Sequence, residues 1–148
     1  MSNEEIVNFT NLEPGIQELI KESAAVRKFS YSPYSKFKVG AAVLCVDGTI
    51  SAGCNVENAS YPVGTCAERV AIVKAVSDGK KQFKALAVVA DKLKDSFVTP
   101  CGFCRQAIVE FGDIPVYLSD PEMKNALRTT ASNLLPRAFG LGNHEILH

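Results

Sequence analysis

Phe37 to Val46, FKVGAAVLCV, narrows the possible folds more than any other stretch of this chain. Its one charged side chain is Lys38. A strand with one wet face alternates apolar and polar residues, and this one does not, so both of its faces must be covered. Asp47-Gly48 supplies a tight turn, and Thr49 to Val56 returns as the second strand of a hairpin. Ala85 to Ala90 (ALAVVA) reads as another buried strand, Ile114 to Leu118 as a fourth and Asn125 to Thr129 as a fifth. Helices separate them. Pro14 to Ser30 puts Ile16, Leu19, Ile20 and Ala24 on one face, and the Ser32-Pro33-Tyr34-Ser35 turn ends it. Cys66 to Ser77 is closed by Asp78-Gly79. A third helix runs from Gly102 to Phe111 after Pro100 and stops at Gly112. A short one spans Ala131 to Leu135. Only Ser119 to Lys124 joins the last two strands, too few residues for a parallel crossover, so that pair is antiparallel. The expected fold is α/β: a three-layer α-β-α sandwich around a five-stranded mixed sheet.

The 148 residues suit a single domain, 1–148, with its own core. Sixteen basic residues balance sixteen acidic ones, so no global field gathers nucleic acid or anionic lipid. With 8% aromatics and no Trp, no stacking platform for single strands stands out. No apolar run is long enough to span a membrane. Met1 to Asn11 is polar and acidic, without the apolar core of a secretion signal, which predicts a cytoplasmic protein. The odd number of cysteines argues against a disulfide framework. Cys45 and Cys54, in apolar or glycine-rich strand segments, read as small core residues.

The remaining three cysteines carry the chemistry. Cys101 and Cys104 stand two residues apart at a helix start, and Cys66 also begins a helix. Helix N-termini carry partial positive charge and favour thiolates. Structural zinc takes four protein ligands, whereas catalytic zinc leaves one position for water. Three thiolates beside Glu68 therefore point to a catalytic Zn²⁺, one per subunit. Three thiolates also make the ion electron-rich, and a nearby cation would offset that. Arg69, three residues after Cys66 on the same helix face, is the favoured candidate, with Arg105 as another. Glu68 is placed to move protons rather than to ligate. Two readings compete: a structural zinc, whose fourth ligand would have to come from elsewhere, and a redox Cys-x-x-Cys pair. The two histidines, His144 and His148, lie near the C-terminus.

At these residues the sequence resembles the cytidine deaminase family in its small homotetrameric, nucleoside-specific form. The resemblance runs from about Tyr31 to Gly140 through SPYSKFKVGAAV, GCNVENASYP, TCAER, PCGFCRQ and LLPRAFG. It implies Cys66, Cys101 and Cys104 as zinc ligands, Glu68 as the proton shuttle and Arg69 as the arginine bonded to the thiolates. It implies that Asn55 and Glu57 bind the ribose 3′-hydroxyl and that Phe37 lies beside the pyrimidine. Ala59 and Tyr61 would be offered to the 5′-hydroxyl side by a neighbouring subunit, and Phe139 would be laid over the base by a neighbour. Tyr34 matches a family tyrosine near the site. On the residue types alone, Asn55 and Glu57 are polar residues at a strand end, and Phe37 and Phe139 are core aromatics.

The expected reaction is hydrolytic deamination of cytidine and deoxycytidine to uridine and deoxyuridine, with ammonia released, as a step of pyrimidine salvage. The expected partner is a small pyrimidine nucleoside, in a homotetramer with active sites shared between subunits, without nucleic acid or membrane. A polynucleotide cytosine deaminase fits less well, given the balanced charge and the six-residue connection where those enzymes insert a helix. A blasticidin-type deaminase shares the TCAE-like and PCGxCRQ-like motifs, but Asn55-Val56-Glu57 and the Phe139-Gly140 ending favour the nucleoside enzyme. A structural zinc module would bind metal and release no ammonia.

Overall fold

The computed structural model describes residues 4–141, and His144 and His148 lie outside them. Its strands are β1 (Glu5–Asn8), β2 (Val39–Cys45), β3 (Ile50–Cys54), β4 (Phe83–Ala90), β5 (Pro115–Ser119) and β6 (Asn125–Thr130). Its α-helices are α1 (Pro14–Arg27), α2 (Ala67–Ser77), α3 (Gly102–Val109) and α4 (Ala131–Leu134). The strands form one sheet in the order β1-β6-β5-β4-β2-β3. Only β4 and β5 run parallel, and β5 and β6 are antiparallel as the short connection requires.

The sheet has six strands, not five. The extra one, β1, pairs antiparallel with β6 at the edge. Glu4 to Ile6 and Asn8 are exposed and only Val7 is half-covered, so β1 lacks the apolar run that marks the inner strands. The first helix stops at Arg27, three residues before its expected end, and Lys28 to Ser30 continue as turns.

Both faces of β2 are covered because successive side chains alternate between the two cores. Ala41, Val43 and Cys45 join Ile72, Leu86, Val88, Ile108, Val116 and Leu118 under α2, α3 and α4. Ala42 joins Leu19, Ile20, Ala85, Ala87 and Val89 under α1. Two glycines let the helices seat closely. A Cβ at Gly40 would lie 1.9 Å from the Ser23 carbonyl oxygen on α1, and one at Gly53 would lie 2.6 Å from Val70 Cγ1 on α2. The far end of α2 closes at Gly79, φ 83°, where the Gly79 N–H bonds Val76 and the Lys80 N–H bonds Ala75. A left-handed glycine there satisfies carbonyls that the helix leaves open.

Candidate active site

Two helix starts converge on one place. Cys66 is the residue before α2, Cys101 the residue before α3, and Cys104 lies in the first turn of α3. Cys66 and Cys101 have extended backbones, so each turns into its helix with the thiol beside the unpaired first amides. All three sulfurs lie within 4.8 Å of one another, with Cys66 and Cys101 at 3.8 Å. Cys66 is pulled down to about 5, chiefly by the Cys104 thiol donating to it, with Arg69 and Cys101 adding to this against the cost of burial. Cys104 is pushed up by that same Cys66 contact, by burial and by Glu68. The two shifts oppose each other, so the site favours a thiolate at Cys66, where a cation would be held. Soft sulfur donors this close suit zinc, and among the described residues no fourth ligand-type side chain joins the group.

Around the sulfurs stand one cation and one acid. The Arg69 guanidinium reaches Cys66 Sγ at 3.7 Å, and its carbon lies 5.7 Å from the centre of the Phe103 ring. Contact with the Cys66 thiolate is the largest reason the Arg69 pKa is raised. Arg69 Nε is buried without a hydrogen-bond partner among the described residues. Glu68, on the first turn of α2, is 4% exposed. Burial pushes its carboxyl above the usual range and the Cys66 charge adds to this, while the neighbouring Cys104 acts the other way. Arg105 is not a second counter-charge. It donates to the carbonyls of Pro100 at 2.7 Å and Leu134 at 2.7 Å and to the Thr99 hydroxyl at 3.0 Å. Its task is to tie the segment before Cys101 to α4. No local pattern announces this, because Leu134 is 29 positions away in the chain.

A cavity of about 500 Å³ opens beside Cys66 and Arg69, bounded also by Asn55, Glu57, Tyr61 and Phe103. The two polar residues are already engaged. Asn55 Oδ1 accepts from the Ser30 hydroxyl and the Val39 N–H, and its Nδ2 donates to the Phe37 carbonyl at 2.8 Å. Glu57 Oε1 accepts from the N–H groups of Tyr34 and Ser35, and Oε2 accepts from the Ser35 hydroxyl. Phe37 is half-buried, Ala59 is exposed, and neither lines the cavity. Phe139 also stands outside it, with its carbonyl held by Gln106 of α3 at 3.0 Å. Tyr34 meets Tyr61 edge-on, with ring centroids 5.9 Å apart. Sequence reasoning passed over Ser30, Ser35 and Phe103. The last sits inside the Cys101–Cys104 spacing, a position that could have drawn notice.

Residues 15–119 match the family model described as the cytidine and deoxycytidylate deaminase zinc-binding region. The chain belongs to the cytidine deaminase family. It is 54% identical to the cytidine deaminase of Sporosarcina psychrophila over 127 residues, 84% of this chain and 90% of that one. To the cytidine deaminase of Halalkalibacterium halodurans it is 47% identical, covering 83% of this chain and 92% of the other. The crystal structure of cytidine deaminase from Burkholderia pseudomallei superposes with a TM-score of 0.76 at 43% identity, over 82% of this chain and 97% of that one. Membership in a zinc-binding deaminase family and the three-sulfur cluster agree on zinc as the cofactor.

Proposed function

We propose that this protein hydrolyses cytidine and deoxycytidine to uridine and deoxyuridine, releasing ammonia. The observation that carries the reading is a buried carboxyl, Glu68, beside three clustered thiols, of which Cys66 lines a cavity sized for a small ligand. Cys66, Cys101 and Cys104 would hold the zinc, whose Lewis acidity makes water a nucleophile near neutral pH. Arg69 would keep the sulfur charge from accumulating, through its contact with Cys66. Glu68 would take a proton from the attacking water and deliver it to pyrimidine N3. With the hydroxyl added at C4, Glu68 would take that hydroxyl's proton and hand it to the amino group, which leaves as ammonia while the C4 carbonyl forms.

The free hydrogen-bonding capacity of Asn55 and Glu57 supports a sugar hydroxyl as their target. Both lone pairs of Asn55 Oδ1 are taken, and one Nδ2 hydrogen remains. Glu57 accepts three bonds, one fewer than the roughly four a carboxylate can take. One donor beside one acceptor suits a group that both accepts and donates, such as the ribose 3′-hydroxyl. Phe37 would lie beside the base.

Ala59, Tyr61 and Phe139 would serve neighbouring subunits of a homotetramer. Tyr61 at 75% exposure and Phe139 at 73%, with Val63 and Leu141 also exposed, supply apolar surface of the kind that assembly covers. A role in pyrimidine salvage in the cytoplasm fits this activity, and no described helix is long and apolar enough to cross a membrane.

The test is the fall in cytidine absorbance on adding pure protein, with and without a chelator. Chelator-sensitive loss of cytidine is expected, with no conversion of cytosines in single-stranded DNA. Metal binding without ammonia release from any nucleoside would overturn the proposal in favour of a structural zinc module.

A further inference from the structure

The segment Ser30 to Val39 enters the sheet through a turn that the sheet's own hydrogen bonds do not hold. The Lys36 N–H bonds the Ser32 carbonyl at 3.0 Å, and Lys36 itself sits at φ 60°, a left-handed conformation that costs a side-chain-bearing residue free energy. Such a turn persists only if its surroundings impose it. Side chains from the β3 exit do so, and they leave the Phe37 peptide gripped at both ends. Its carbonyl accepts from Asn55 Nδ2 at 2.8 Å, and its N–H donates to the Ser35 hydroxyl oxygen at 3.0 Å.

Ser35 links the Glu57 carboxylate to the Phe37 backbone. Ionised Glu57 can only accept, so the Ser35 hydroxyl must give it its hydrogen, which leaves the oxygen's lone pairs to receive the Phe37 N–H. The hydroxyl therefore has one orientation and joins the carboxylate on one side to the Phe37 backbone on the other. The Ser35 hydroxyl and N–H are also the two largest reasons the Glu57 carboxyl is held below its ordinary range. A second cavity, about 380 Å³, is lined by Tyr34, Ser35, Glu57 and Tyr61, so this junction borders open space rather than packed core.

We propose that Ser35 is a positioning residue for nucleoside binding: its single hydroxyl aims the Glu57 carboxylate at the sugar and fixes Phe37 beside the base. The inference rests on the assignment of Glu57 and Phe37 to the substrate given above. Because Ser35 touches neither the thiols nor Glu68, its loss acts on ground-state binding and leaves the chemical step alone.

Steady-state kinetics on cytidine with wild type, Ser35→Ala, Ser35→Thr and Glu57→Gln test this. Ser35→Ala is expected to raise KM about tenfold, the scale of one hydrogen bond to a charged group, with kcat within about twofold and zinc content unchanged. Ser35→Thr keeps the hydroxyl and should restore KM. With 3′-deoxycytidine the Ser35→Ala penalty should shrink, because Glu57 then has no hydroxyl to meet. If Ser35→Ala fails to fold, Ser35→Cys, which replaces the hydroxyl with a weak donor, gives the same reading. An unchanged KM in Ser35→Ala beside a raised KM in Glu57→Gln would overturn the inference and leave the substrate assignment standing. An unchanged KM in Glu57→Gln would remove that assignment itself. A fall in kcat at constant KM would also overturn the inference.

Discussion

Glu68 and Glu57 lie on opposite sides of the question of what a carboxylate does in this molecule. Glu68 is buried, and burial pushes its pKa above the usual range, which suits the proton shuttle proposed for it. Glu68→Ala should lower kcat at least 10²- to 10⁴-fold, the span that general acid–base catalysis contributes, while metal analysis still finds one zinc per chain. Retained turnover would remove Glu68 from the mechanism. Glu57 is depressed below its ordinary value of 4.5, first by the Ser35 hydroxyl. Its folded value lies below the unfolded one, so its clamp on the turn acts fully above about pH 4.5 and is lost as pH falls through the folded value. The melting-temperature gap between wild type and Glu57→Gln should therefore hold steady from neutral pH down to about 4.5 and narrow below it. A gap that widens on acidification contradicts the clamp. The thiols and Glu68 were legible in the sequence because cysteines and a carboxylate at expected helix starts match motifs of the family that the chain resembles. The work of Ser35 and Arg105 was not, because their bonds run to backbone atoms of other segments and leave no periodic trace.

At the level of elements, the inner strands announced themselves by unbroken apolar runs, and the Asp47-Gly48 and Asp78-Gly79 pairs marked where chain direction changes. The missing strand, β1, is the one that buries least. An edge strand of four residues facing water needs only backbone pairing, and that pairing is supplied by β6, far away in sequence. Close seating of helix on sheet was equally hidden, because a glycine in an apolar strand does not say what will approach it. At Gly53 a Cβ would meet Val70 and the Ala71 N–H at 2.6 to 2.8 Å. Gly53→Ala should cost about 1–3 kcal/mol by overpacking, read as a drop of several degrees in melting temperature. Because α2 begins at the Cys66 thiol, zinc release should quicken as well. Gly15→Ala, with nothing within 4 Å, should be neutral or stabilising by up to about 1 kcal/mol. Equal effects from the two substitutions would show that helix seating is not what Gly53 provides.

The thiols stand at the starts of α2 and α3, and the exposed side chains of Val56, Tyr61 and Phe103 line the cavity beside them. Sedimentation should return a mass about four times the 16.0 kDa of one chain, and Phe139→Ala should weaken nucleoside binding without unfolding the protomer. A monomer with full activity would contradict shared sites. The convergence of Cys66 and Cys101 has one more consequence, which belongs to polymer physics. These residues stand 35 positions apart, and one ion gripping both turns the intervening chain into a closed loop. Unfolding opens that loop and gives up the ion, so the free energy of binding zinc becomes free energy of folding. Above saturation, each tenfold rise in free zinc adds about 1.4 kcal/mol to stability by mass action. The melting temperature should climb with the logarithm of zinc concentration and fall sharply under chelation; indifference to both would rule the cross-link out. A cell short of zinc would then lose the folded protein, and not merely its turnover, to degradation.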